Sequence, residues 1–209
     1  MIPLETLLLF AVACVALVAT PGPNVLYLVS RTLAQGRAAG FVSLVGTSSG
    51  FAAHSLAAAF GLSALLAAVP LAYDAVRLCG AIYLAWLAWT TWRDRDERAP
   101  GALPARIPPV QMFRQGLLTS LLNPKIAMFQ LAFFPQFVSP DRGSVLAQSM
   151  ILAGIQVAIA VAGDAIYVLA ASHVRQWFAG RPTWGRWSKR ALAGVFAALA
   201  ARLAIDDRH

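Results

Sequence analysis

The sequence predicts an all-α integral membrane fold of six transmembrane helices, arranged as two inverted-topology repeats of three. Three observations predict it. Of the 209 residues, 59% are hydrophobic and only 12% charged, and the mean hydropathy is +0.66. The apolar residues gather into runs long enough to cross a bilayer, which takes about 20 residues per helix. The basic residues collect in alternate gaps between those runs.

Taken in order, the first run covers residues 4–30 and is interrupted by Ala19-Thr20-Pro21-Gly22-Pro23-Asn24. A proline removes a backbone donor and clashes with the preceding turn, so two prolines around a glycine open a helix. The second run, 40–68, carries Gly46-Thr47-Ser48-Ser49-Gly50, a small-residue pattern that lets another helix approach closely. That partner is either a neighbour in the bundle or the same helix of a homodimer. The third, 72–92, ends in Trp86, Trp89 and Trp92 ahead of Arg93, the composition of an interfacial anchor. Residues 93–113 form a basic, proline-rich linker that begins Arg93-Asp94-Arg95-Asp96-Glu97-Arg98. The fourth run, 114–137, is broken in its turn by Leu122-Asn123-Pro124-Lys125. The fifth, 144–172, holds Asp164 near its centre, and the sixth, 188–204, is short and contains Arg202.

Residues 1–92 thus supply three spans and 114–209 three more, within one membrane domain. An odd number per half makes the second half enter the membrane from the opposite side. The formal net charge of +8 does not point to nucleic acid, because of where the charges lie. Arg31 and Arg37, then Arg93 to Arg114, then Arg175 to Arg190 occupy three gaps, and the gaps between them hold only Arg77 and Arg142. The positive-inside rule makes the three basic gaps cytoplasmic and both termini external. The start, Met1-Ile2-Pro3-Leu4-Glu5, lacks the basic segment of a secretory signal.

Broken backbone in lipid is costly and persists where it is buried in protein or lines a cavity; paired breaks in two halves mark a transporter binding site. A break frees amide N–H groups, which suit an anion, and carbonyls, which suit a cation; an amino acid carries both charges. The substrate and gate candidates are therefore Pro21, Gly22, Pro23, Asn24, Asn123, Pro124 and Lys125, with Tyr27 and Gln130 one and two helical turns beyond the asparagines. The blander alternative makes the asparagines helix caps and Lys125 an interfacial cation. Asp164 and His54 are candidates for proton coupling, since ionisable groups at membrane depth face the bundle interior. Asp164 could equally pair with Lys125 or Arg202, and His54 could be a hydrogen-bonded structural residue.

The same residues resemble the lysine exporter family, in its threonine/homoserine-lactone efflux branch (LysE/RhtB). The matching motifs are Thr20-Pro21-Gly22-Pro23-Asn24, the glycines Gly36, Gly40, Gly46 and Gly50 leading to Ala59-Phe60-Gly61-Leu62-Ser63, and Arg77 to Leu87. They continue through Phe113-Arg114-Gln115-Gly116, Asn123-Pro124-Lys125 and Phe134-Pro135-Gln136-Phe137. Ala88 stands where the family pattern has glycine. The resemblance implies a multi-pass protein of the bacterial inner membrane, with periplasmic termini on the charge reading. It implies export of amino acids or their derivatives driven by protons, with lipid as surroundings and no cofactor or metal.

Rival classes read differently. A membrane redox carrier would relay electrons through Cys14 and Cys79, but these fall in the first and third spans rather than in corresponding ones. They read more simply as small hydrophobic residues. A small-solute channel is the other alternative. An enzyme is not expected, for no HExxH or CxxC pattern occurs.

Overall fold

The computed structural model describes residues 2–61 and 107–178, with isolated helical positions at Leu78, Ile82, Ala85, Trp86, Trp89, Gly194, Ala197, Ala198 and Ala201. Those positions apart, the third and sixth spans, Cys79, Arg202 and most of the 93–113 linker lie outside the described residues. No strand occurs among the described residues.

Helix α1 (Leu4–Ala19) follows Pro3 and has no charged residue after Glu5. Leu4, Leu8, Leu9, Val12 and Val15 are exposed along it, whereas Phe10 and Cys14 are buried. The helix stops ahead of Pro21, and α2 (Pro23–Gln35) starts with Pro23 in its first turn, where a missing N–H costs nothing. The two axes meet at 50°.

Helix α2 ends at Gly36, whose φ of +93° is a left-handed conformation that glycine adopts without strain, and α3 (Arg37–Ala59) begins at once. The expected basic gap after the first span is therefore one residue long. Arg31 lies inside α2, only 5% exposed, rather than in a loop. Its burial is supported by a bond from Nη2 to Gln115 Oε1 at 2.6 Å and by the Tyr27 ring, whose centre is 5.5 Å from the guanidinium carbon.

Helix α4 (Pro109–Leu121) starts five residues ahead of the expected boundary at 114, because Pro109 can open a helix at its first position. It packs against α3 with backbone close to backbone. A Cβ on Gly116 would lie 2.5 Å from the Ser43 carbonyl oxygen, and one on Gly50 would lie 2.7 Å from Ser120 Cβ. Phe113 O crowds Gly46 in the same way. The face formed by Gly46 and Gly50 is thus occupied by a neighbour within the chain rather than left open as a homodimer seam.

After a short break come α5 (Pro124–Met128), a π-helical turn Phe129–Phe133 and 3₁₀ turns at Phe134–Phe137 and Pro140–Arg142. Helix α6 (Val145–Phe178) spans 34 residues. Among the described residues, the segment Val145–Trp177 within it is the one helix long and apolar enough to cross a bilayer unaided; α1 and α2 meet that test only as a bent pair. Helix α1 packs on α6, and α2 packs on α3 and α6.

The pattern of burial is that of a protein in lipid. Val145, Leu146, Met150, Ile151 and Ile166 of α6 face outward, while Gln148, Gln156, Asp164 and Ser172 are buried. An apolar solvent rewards no burial of leucine, so polar groups take the interior, where they find partners. Cys14, 1% exposed, packs with Phe10, Phe129, Phe134, Leu152 and Ala153 as a small hydrophobic residue does.

Candidate functional site

The site begins with the carbonyls that the prolines leave behind. In a helix the carbonyl of residue i accepts from the N–H of residue i+4. Pro21 and Pro23 have no N–H, so the carbonyls of Leu17 and Ala19 have no partner in their own helix. Both are met from the second half of the chain. The Lys125 ammonium donates to Leu17 O and Thr20 O, and the Tyr167 hydroxyl donates to Ala19 O at 3.2 Å. A cation at the last carbonyls also sits at the negative end of the α1 dipole. Lys125 therefore points inward to the first break.

Pro124 does the same to Ser120 O, and the chain repairs this locally: Asn123 N donates to Ser120 O at 3.2 Å. Lys125 N, which would otherwise reach Leu121 O, donates to Asn123 Oδ1 at 3.1 Å, so Asn123 caps α5. The carbonyl of Leu121 is met by His54 Nε2 at 3.0 Å, and since a carbonyl only accepts, that nitrogen carries the proton.

The two breaks touch. Asn123 Nδ2 donates to Asn24 Oδ1 at 3.0 Å, and Asn24 Nδ2 donates to Ser120 Oγ at 3.1 Å. Asn24 caps nothing; both ends of its amide bind the second half. Gly22, Asn24, Asn123, Lys125 and Asp164 line one partly open cavity of about 40 Å³, together with apolar side chains such as Val25, Phe51 and Ile126. That volume admits about three waters. Asp164, 8% exposed, has the Lys125 ammonium as its charged neighbour. A side chain at Gly22 would meet Lys125 Cδ at 3.1 Å, so glycine leaves the lysine its place.

The other candidates stand apart from the cavity. Tyr27 is fully buried and bridges helices, donating to Met112 O at 2.9 Å beside Ser43 Oγ. Gln130 belongs to a separate polar cluster with Ser55 and Gln156. Pro21, Pro23 and Pro124 act by breaking helices rather than by lining the space. Tyr167 and Ser120 were not singled out from the sequence, although Tyr167 stands three residues from Asp164 on one helical face. Among the described residues no cluster of His, Cys, Asp and Glu could hold a metal ion.

Comparison with known proteins adds an independent line. A leucine efflux protein of Klebsiella pneumoniae is 27% identical over 201 residues, 94% of this chain and 93% of the relative. A homoserine/homoserine lactone efflux protein of Salmonella typhimurium is 26% identical over 190 residues, 91% of each chain. An uncharacterized membrane protein of Vibrio cholerae is 32% identical over a shorter stretch of 122 residues, 58% of this chain and 60% of the relative. No solved structure gives a significant match. The profile of the LysE type translocators matches residues 15–207. A match over nearly the whole length, to a chain whose two breaks meet at one polar cavity, places this membrane protein in a family: it belongs to the LysE type translocators.

Proposed function

We propose that the chain exports amino acids or their derivatives across the bacterial inner membrane, coupled to protons, by alternating access around the two helix breaks. The observation that carries the reading is the bond between Asn24 and Asn123 at the rim of a cavity that also holds one cation, Lys125, and one anion, Asp164. One charge of each sign suits a zwitterion: Lys125 and the asparagine amides receive the carboxylate, and Asp164 receives the ammonium or a proton. A cavity of about 40 Å³ is too small for an amino acid, so binding requires it to widen, as alternation between two openings does. The efflux functions named for the relatives from Klebsiella and Salmonella support the same cargo class.

Arg31, Arg37, Arg114 and Arg175 all stand at the end of the helices that the positive-inside rule assigns to the cytoplasm, which supports periplasmic termini. A break in each half supports the inverted repeat and the reading of α4 with α5 as a single broken span, and the bent, apolar pair α1 and α2 supports the same reading of the first. The apolar packing of Cys14 counts against an electron relay.

The test is Asp164→Asn in proteoliposomes with an imposed pH gradient. We expect a folded protein that still binds substrate and has lost uphill export by at least a hundredfold. Gradient-driven export at the unaltered rate by properly inserted Asp164→Asn would remove Asp164 from coupling, and export that never exceeds equilibration would make the protein a channel.

A further inference from the structure

One helical turn from the cavity, three helices exchange an apolar side chain for a polar one at the same level. Phe51, Ile126 and Ala160 pack together as one cluster on the cavity wall. Four residues further along α3 stands Ser55, four residues beyond Ile126 stands Gln130, and four residues back along α6 stands Gln156. Helix α6 runs opposite to α3, so these offsets bring the three polar residues together, on the side of the apolar cluster away from Arg31 and Arg175.

They bond to one another. Gln130 Nε2 donates to Ser55 Oγ and to Gln156 Oε1, each at 3.1 Å, and the single proton of Ser55 Oγ is shared between Phe51 O and Gln156 Oε1, both at 3.2 Å. Ser55 and Gln156 are fully buried and Gln130 is 4% exposed. Gln130 lies in the π-helical turn Phe129–Phe133, a local irregularity that often accompanies functional sites. The bond from Gln130 Nε2 turns Oε1 of the Gln156 amide inward, and its Nε2 is left buried with no acceptor. A network that served packing alone would satisfy its members, because a buried donor without an acceptor keeps the cost of its lost hydration.

We propose that Ser55, Gln130 and Gln156 form a second, exit-side station for the carboxylate of the exported amino acid, reached when Phe51, Ile126 and Ala160 part. The proposal rests on the export reading above. A carboxylate only accepts hydrogen bonds, and Gln156 Nε2 is a donor. Neutral amides and a hydroxyl grip an anion less strongly than an ammonium does, so a substrate passing from Lys125 to this station is held progressively less tightly, as release requires. Beyond the station Phe10 packs edge-on against Phe134 and Phe137, with ring centres 5.9 and 5.0 Å apart, and closes the path.

The experiment uses the full chain in proteoliposomes, with the substrate it exports best from leucine, threonine, homoserine and lysine. Gln156→Met preserves volume and leaves Gln130 bonded to Ser55, and Ser55→Ala serves as the second variant. We expect export to fall at least tenfold in Gln156→Met and at least threefold in Ser55→Ala. Substrate affinity, read by thermal shift of the purified protein, should stay within twofold. Unimpaired export by either folded variant overturns the station, and so does a parallel loss of affinity, which would make the cluster part of the cavity. Failure of the unaltered chain to export any of the four refutes the export reading and the station with it.

Discussion

At the first break two prolines strand carbonyls that, among the described residues, the other half of the chain satisfies through Lys125 and Tyr167. At the second, one proline strands a carbonyl that the next turn recovers, Asn123 caps α5, and a single outside group, His54, completes the repair. The difference is one of dependence. The second break is largely self-sufficient, since its own turn supplies most of its partners. The first is held open by a charge from across the cavity, so whatever displaces Lys125 is felt directly at the end of α1. On the proposed function, a substrate carboxylate that attracted Lys125 would compete with the carbonyls of Leu17 and Thr20 for the same ammonium.

Lys125→Met puts this contrast under the greatest load, because it removes both bonds at the first break and the cation of the cavity. Since hydrogen bonds to charged groups contribute about 1.5–3 kcal/mol each, the melting temperature in detergent should fall as well as export, the latter by at least a hundredfold. Unchanged melting would mean that the first break does not depend on the second half. The asparagines probe the same contrast from the other side, with a lesser loss. Asn123→Ala loses the bridge and the cap, whereas Asn24→Ala loses its two amide bonds but no cap. We expect both to reduce export at least tenfold, and we expect the Asn123 variant to lose about 1 kcal/mol through the cap alone. In a double-mutant cycle the two should be non-additive, because they share one bond; strict additivity would deny the bridge any role. His54 should matter least. Glutamine there retains a donor for Leu121 O and should leave export within threefold, while His54→Leu should cost about 1–3 kcal/mol of stability. Export abolished in a folded His54→Gln protein would transfer the coupling role to His54.

The helix ends were legible because proline chemistry is local: Pro21, Pro23 and Pro124 state which carbonyls lose their donors without reference to the rest of the fold. The groups that meet those carbonyls were not legible. His54 reaches Leu121 across 67 positions, Lys125 reaches Leu17 across 108 and Tyr167 reaches Ala19 across 148, and no periodicity encodes such pairings. Arg31 shows the other limit. A charge count assigns it to a loop, and the bond to Gln115, 84 residues on, together with the Tyr27 ring explains why α2 buries it. The glycines at 46 and 50 announced close approach of some helix, yet the choice between a neighbour and a second copy depended on Gly116 of α4, which presents the matching bare backbone.

That bare backbone has a mechanical consequence. Helices α3 and α4 come from opposite halves of the sequence, and with main chain against main chain they have no soft side-chain layer along which to slide. They behave as one beam, with α2 fastened to it through Gly36 and the bond between Tyr27 and Met112. Helix α1 rides instead on α6, where Val18 fills the notch at Gly163. On the proposed function, the motion that widens the cavity is therefore expected at the joint between α1 and α2, residues 20–22, with the Lys125 side chain as its pin.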